Sequence, residues 1–117
     1  MTALRLTIKL RIRDGKEAAF RDVIAQLSAI ARDKDPGTSI FECYRAEDGV
    51  SAFIHEHYAS DEAFLAHCAN AGHLFGPLFE TAEFGETIIA GVPSADIRAM
   101  LSGDGEGHGA RLFYAPL

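Results

Sequence analysis

The chain has no tryptophan, only two cysteines and a shortage of positive charge, with 11 Lys and Arg against 17 Asp and Glu. Each shortage excludes something. Two thiols, Cys43 and Cys68, are too few for a disulfide framework, and free core thiols of a cytoplasmic protein are the reading they support. A formal net charge of -6 repels phosphate backbones, so nucleic acid is not an expected partner. No apolar run approaches the roughly 20 residues that a membrane span needs, so no membrane is expected either. The opening MTALRLTIKLRIR is positive, but its apolar residues alternate with charges and form no continuous block. It reads as a strand and not as a signal peptide.

What is present fits one compact domain. The 117 residues are 48% hydrophobic, enough for a real core, and 24% charged, which argues against global disorder. Leu4, Leu6, Ile8, Leu10 and Ile12 alternate with Arg5, Thr7, Lys9, Arg11 and Arg13, the period of two of a strand. Asp14-Gly15 ends it, and Asp14 with Glu17 fits a capping box for the next helix. Phe20, Val23, Ile24, Leu27, Ile30 and Ala31 recur at helical spacing to about Arg32, until Pro36-Gly37 stops the run. Residues 38–46 predict a second strand, Glu47-Asp48-Gly49 a hairpin turn and residues 51–58, SAFIHEHY, a third strand. Ser60 or Asp61 caps a second helix to about Ala69. Residues 70–81 hold more helix with a break at Gly76-Pro77, and residues 84–91 read as a fourth strand.

The order βαββαβ predicts an α+β protein, a ferredoxin-like antiparallel sheet with helices on one face, over residues 1–92. Residues 93–117 form an extension. It holds a short helix capped by Ser94 and carrying Ile97, Met100 and Leu101, then the glycine-rich loop GDGEGHG at 103–109. ARLFYAPL follows as a fifth strand or an extended arm, packed on the same domain or on a partner subunit.

Alternation also sorts side chains between the two faces of the sheet. An economical sorting puts Glu42, Glu56 and Glu86 with Arg5, Lys9 and Arg11, where cross-strand ion pairs can form. Phe41, Cys43, Phe53, His55 and Ile89 then face the helices. The charged face also carries Tyr44, Tyr58, Ile54 and Ile88, a mixture suited to a second sheet packed against it. A homodimer, sheet to sheet, is therefore expected.

The stretch PGTSIFECYRAEDGVSAFIHEHYASDEAFLAH, residues 36–67, resembles the antibiotic biosynthesis monooxygenase (ABM) domain family. The resemblance rests on Pro36-Gly37 before the second strand, the Phe41-Glu42 pair and the hairpin. Phe53, Glu56-x-Tyr58 and Ala63-x-x-x-His67 complete it. It covers residues 4–91 and leaves out the tail. It implies a dimeric α+β barrel and oxidation of a small phenolic, quinol or polyketide-like aromatic substrate by O2 with no metal, haem or flavin cofactor. Haem-degrading relatives carry an Asn on the first strand, a Trp in the second helix and a haem-ligating His. This chain has no Trp, no Asn in its first strand and Pro77 at the position aligned with the ligand, so haem degradation is not expected.

His55 and His67 are the candidate catalytic residues. A neutral imidazole near pH 7 can take a phenolic proton, and a phenolate gives an electron to oxygen more readily than a phenol does. The other reading of each is a buried histidine held by a backbone carbonyl or a carboxylate. Phe41, Phe53, Phe64 and Phe75 are the candidate substrate-binding residues, able to stack on a planar ring, with ordinary core as the alternative. Glu56 and Tyr58 are assigned to an interface ion-pair layer, with substrate activation as the other reading. Cys43 and Cys68 lack an activating base and read as core. His57 reads as a rim residue, and His73 and His108 have no evident partner. GDGEGHG places acidic groups between glycines as calcium-binding turns do, but in one unrepeated copy, and a flexible linker is the preferred reading.

No metal site is expected. Gly49, His55, His57 and Glu62 fit the first half of a cupin metal motif, but Ala69 stands where its glycine belongs and SDEAFLAHCA reads as helix where a cupin needs strand. The alternative to an enzyme is a non-catalytic small-molecule-binding or stress-response protein on the same scaffold.

Overall fold

A computed structural model of the chain describes residues 3–102 and 110–113; the glycine-rich loop with His108, and Tyr114 to Leu117, lie outside the described residues. The strands are β1 (Leu4–Ile12), β2 (Thr38–Arg45), β3 (Ser51–Tyr58), β4 (Ala82–Ala90) and β5 (Ala110–Phe113). The helices are α1 (Glu17–Lys34), α2 (Asp61–Ala71), α3 (Phe75–Thr81) and α4 (Ala95–Ser102). The sheet order is β2-β3-β1-β4-β5. The first four strands are mutually antiparallel, as in the ferredoxin-like fold, and β5 adds in parallel to the β4 edge. A parallel neighbour needs a crossover, and the segment carrying α4 provides it.

The β2–β3 hairpin turns where the sequence places it. Gly49 has φ 77°, and the Asp48 carboxylate accepts from the Val50 and Ser51 amides and the Ser51 hydroxyl. Those bonds hold the Asp48 carboxyl down at about 2. Register then sets which side chains share a face. Leu4 lies opposite Tyr58, Leu6 opposite Glu56 and Ile8 opposite Ile54, all towards the helices. Thr7 lies opposite His55 and Lys9 opposite Phe53, on the outer side.

This corrects the face expected for β3. Phe53, His55 and His57 point outward with Arg5, Thr7 and Lys9, and Ile54, Glu56 and Tyr58 point inward. The sorting by charge gave weight to an exposed ion pair, which is worth at most about 1 kcal/mol. Burying Ile54 and Tyr58 is worth roughly 1.5–3 kcal/mol each, so apolar burial decides the face and carries Glu56 inside with it. The sorting of the other strands stands. Phe41 and Cys43 face the helices, Ile89 is buried, and Glu86 reaches Lys9 on the outer side at 3.6 Å.

Two helix termini also differ from expectation. Asp14 does not cap α1. The Asp14-Gly15 turn, with Gly15 at φ 74°, closes through a Lys16 amide bond to the Arg13 carbonyl, and the helix begins beyond it without a side-chain cap. The break between α2 and α3 falls at a 3-10 turn, Gly72–Leu74, and Gly76-Pro77 lies inside the first turn of α3. Helix first-turn amides have no partner within the helix, so the missing N–H of Pro77 costs nothing there. Ser60 caps α2 by accepting from the Ala63 amide at 3.2 Å, and Ser94 caps α4 by accepting from the Ile97 amide at 3.3 Å. The core fills the layer between sheet and helices. One cluster surrounds Leu27, Ile54 and Leu78, and the other surrounds Leu4, Tyr58, Phe64 and Ile97.

Candidate active site

The site begins at the end of α1. Proline disfavours helical backbone at the residue before it, so Pro36 ends the helix and leaves Asp35 at φ -118°, ψ 80°. Asp35 is 3% exposed and points inward. The turn that follows presses on α2: a Cβ on Gly37 would stand 2.5 Å from the Ala63 Cβ, so only glycine allows the approach. The Gly37 carbonyl also accepts from the Ala59 amide at 2.9 Å. One turn along α2 from Ala63, His67 therefore meets Asp35.

His67 Nδ1 lies 2.6 Å from Asp35 Oδ2, and the Asn70 side-chain amide donates to Asp35 Oδ1. A carboxylate only accepts, so Nδ1 carries the hydrogen, and in the neutral ring Nε2 is the acceptor. Among the described residues Nε2 has no hydrogen-bond partner. The ring packs against Phe41 and Tyr58 at centroid distances of 5.7 and 5.6 Å.

His67 forms part of the wall of a cavity of about 220 Å³ between sheet and helices. The sheet side supplies Leu6, Ile8, Ile54, Glu56, Phe84 and Thr87. The helical side supplies Leu27, Phe64, Cys68, Phe75, Leu78 and Phe79, and Met100 and Leu101 of α4 close one flank. The lining is aromatic and aliphatic, with the polar groups of Glu56, His67 and Thr87 set into it, the pattern of a small-molecule site.

Glu56 is 5% exposed, and among the described residues its one side-chain hydrogen bond is the Tyr58 hydroxyl, which donates to it. Burial pushes the Glu56 carboxyl above its ordinary value of 4.5, with the Tyr58 bond and the neighbouring His67 ring pulling the other way. Burial, reinforced by Glu56, also raises the Tyr58 hydroxyl far out of the physiological range. Cys68 is pushed up to about 11 by burial, and Cys43 likewise, so neither is a reactive thiolate.

Four of the six residues singled out in the sequence meet here: His67, Phe41, Phe64 and Phe75. The other two do not. His55 and Phe53 lie on the outer face of the sheet, where His55 Nδ1 is 3.2 Å from the Thr7 hydroxyl and its Nε2 is 3.0 Å from His57 Nε2. Sequence reasoning missed Asp35 and Asn70 and placed Glu56 on the wrong face. The signal for Asp35 was available: an acidic residue directly before a helix-stopping proline cannot continue the helix. Among the described residues no group of three or more His, Cys, Asp or Glu side chains has metal-binding geometry, and no helix is long and apolar enough to cross a membrane.

Comparison with known proteins agrees with this architecture. No curated protein matches the chain. Among solved structures, MupZ from Pseudomonas fluorescens superposes with a TM-score of 0.81 at 17% identity, over 98% of this chain and 91% of MupZ. SnoaB from Streptomyces nogalater, a cofactor-independent oxygenase, gives 0.66 at 17% identity, over 81% of this chain and 97% of its own. A conserved protein from Methanosarcina mazei gives 0.65 at 20% identity, over 76% and 89%. Likeness at these identities shows a shared fold. The family model of the antibiotic biosynthesis monooxygenases matches residues 3–74, from β1 to the turn after α2. This chain belongs to the antibiotic biosynthesis monooxygenase family.

Proposed function

We propose that the protein is a cofactor-independent monooxygenase that oxidises a small phenolic, quinol or polyketide-like aromatic compound with O2. The observation that carries this reading is His67. It is a buried imidazole, oriented by Asp35, with an open acceptor nitrogen at an aromatic-lined cavity. Membership of a monooxygenase family supports it, as does the fold shared with a cofactor-independent oxygenase.

In this mechanism Phe41, Phe64 and Phe75 hold the planar substrate, and His67 Nε2 takes its acidic proton. Asp35 faces the resulting imidazolium and stabilises it. The anionic substrate then reduces O2. For a ring methylene the balance is simple: the methylene and one dioxygen molecule become a ring carbonyl and one water. One oxygen atom enters the substrate, the other leaves as water, and the substrate supplies all the electrons. The apolar lining keeps bulk water from the reacting carbanion.

The same reading includes a homodimer formed sheet to sheet. The outer face carries exposed Tyr44 (51%) and Phe53 (39%), packed on each other at 5.3 Å, beside Arg5, Lys9, Glu42 and the half-buried Ile88. Such a mixed apolar and charged face is suited to a second copy of itself. The unpaired thiols Cys43 and Cys68 support a cytoplasmic location.

The test is oxygen uptake by purified protein with a panel of hydroquinones, naphthols and anthrones. Consumption above the spontaneous rate, lost in His67→Ala, is expected. Ligand binding without oxygen uptake across the panel would replace this reading with that of a non-catalytic binding protein.

A further inference from the structure

Two histidines that the proposed reaction does not use stand together on the outer face of the sheet. His55 and His57 are two residues apart on β3, so their side chains leave the strand on the same side. The rings lean together, with centroids 4.7 Å apart and planes inclined at 66°, and the two Nε2 atoms approach to 3.0 Å. Two imidazoles that bind one zinc ion at about 2.0–2.1 Å and the tetrahedral angle hold their nitrogens about 3.3 Å apart. The pair therefore stands close to the geometry of a bidentate grip on a single ion.

The surroundings suit the same role. An imidazole that ligates through Nε2 keeps its hydrogen on Nδ1 and hands it to an acceptor. His55 Nδ1 lies 3.2 Å from the hydroxyl oxygen of Thr7, its direct partner on β1. Glu42, opposite His55 on β2, brings a negative charge to His57, and Arg5, opposite His57 on β1, brings a positive one. The two offset each other, which leaves the imidazoles to select the ion. Imidazole favours zinc, nickel and copper over magnesium or calcium. Glu62, which shares a sequence motif with these histidines, is on α2 in the helix layer. Among the described residues no third His, Cys, Asp or Glu side chain completes a metal-binding group.

Two imidazoles leave half of a tetrahedral shell open. The open half faces away from the helices, beside the exposed Tyr44–Phe53 pair. A two-fold interface on this face presents the same patch from both subunits. We propose that His55 and His57 are a half-site for a divalent transition-metal ion of the zinc class, and that the same pair of a second copy completes it as a four-imidazole site between the sheets. The ion is a structural bridge. The cavity lies on the other face of the sheet, and the ion takes no part in its chemistry. Thr7 is a positioning residue, whose hydroxyl fixes the His55 ring.

This inference rests on the sheet-to-sheet homodimer proposed above. Protein stripped with EDTA is titrated with zinc chloride by calorimetry and sedimented with and without zinc. One zinc per two chains is expected, with the monomer–dimer balance moved towards dimer. If the metal-free protein is already fully dimeric, zinc should instead raise its melting temperature. His55→Gln and His57→Gln should each abolish the binding and the effect on the dimer, with circular dichroism confirming the fold. Thr7→Val should weaken zinc binding by about 10–100-fold, and Thr7→Ser, which keeps the hydroxyl, should retain it. No zinc binding, or binding that survives both histidine variants, overturns the proposal. A dimer that zinc neither tightens nor stabilises sinks this proposal alone; a monomer with and without zinc sinks the homodimer as well.

Discussion

Replacing Asp35 by alanine tests the architecture of the site through stability. Asp35 accepts from His67 and from Asn70, and the Asp35 and His67 side chains are 1% and 3% exposed. Removing Asp35 leaves the buried His67 Nδ1–H unpaired away from water, at a cost of about 1–3 kcal/mol. Total stability for such a domain is about 5–15 kcal/mol, so the loss is a large fraction of it. Asp35→Asn keeps one acceptor oxygen and turns its amide towards one of the two donors, at a cost of about 1–3 kcal/mol. The assay is urea unfolding by circular dichroism at one fixed protein concentration. With a slope near 2 kcal/mol per M, the alanine variant's midpoint falls by about 1 M. The double variant Asp35→Ala with His67→Ala should cost less than the sum of the singles, by about 0.5–3 kcal/mol. An alanine cost below about 1 kcal/mol, or strictly additive costs, would refute a coupled buried pair.

Other expectations can be checked alongside it. His67→Ala should lower oxygenase turnover about 10²–10⁴-fold, whereas His55→Ala, on the outer face, should leave the rate per folded protein near wild type in the oxygen-uptake assay. Gly37→Ala drives a methyl group into Ala63 at 2.5 Å and should cost about 1–3 kcal/mol, read as a lower melting temperature and a weakened Asp35–His67 contact. Glu56 has a folded pKa above its ordinary value of 4.5, so the folded state binds the extra proton and stability falls as pH rises from about 4.5 through the folded pKa. Glu56→Gln removes that dependence, and its melting temperature relative to wild type should climb from pH 5 to pH 8; a flat difference would contradict a buried, proton-holding Glu56. Phe53→Glu places a charge at the centre of the exposed sheet face and should convert a dimer to monomer in analytical ultracentrifugation, with the core intact.

Much of the fold was legible because periodicity reports local geometry. The alternation of Leu4 to Arg13, the Asp48-Gly49 turn and the helical spacing from Phe20 to Ala31 each reflect interactions within a few residues. The helical breaks were read less well. Pro77 marks a helix start as readily as an end, and only the packing of Leu74 and Leu78 into the core shows which. Of the candidate site residues, those that line the cavity are carried by a helix face or a clearly apolar strand: His67, Phe41, Phe64 and Phe75. The site was not legible in β3, where the two faces of SAFIHEHY are nearly balanced in hydrophobicity and a single step inverts them. Neither was the Asp35–His67 contact, which joins residues 32 positions apart.

The sequence by itself determined the βαββαβ order, the turn positions and the family, because these depend on short-range patterns of apolar, capping and turn residues. Only the tertiary structure decided the face of β3. There the gain from burying Ile54 and Tyr58 against β1 and the helices exceeds what an outward Glu56 gains from a solvated ion pair. That choice turns His55 away from the cavity and puts a carboxyl inside it. The close approach of Gly37 to α2 brings Asp35 to His67 and fixes the orientation of that ring at the cavity.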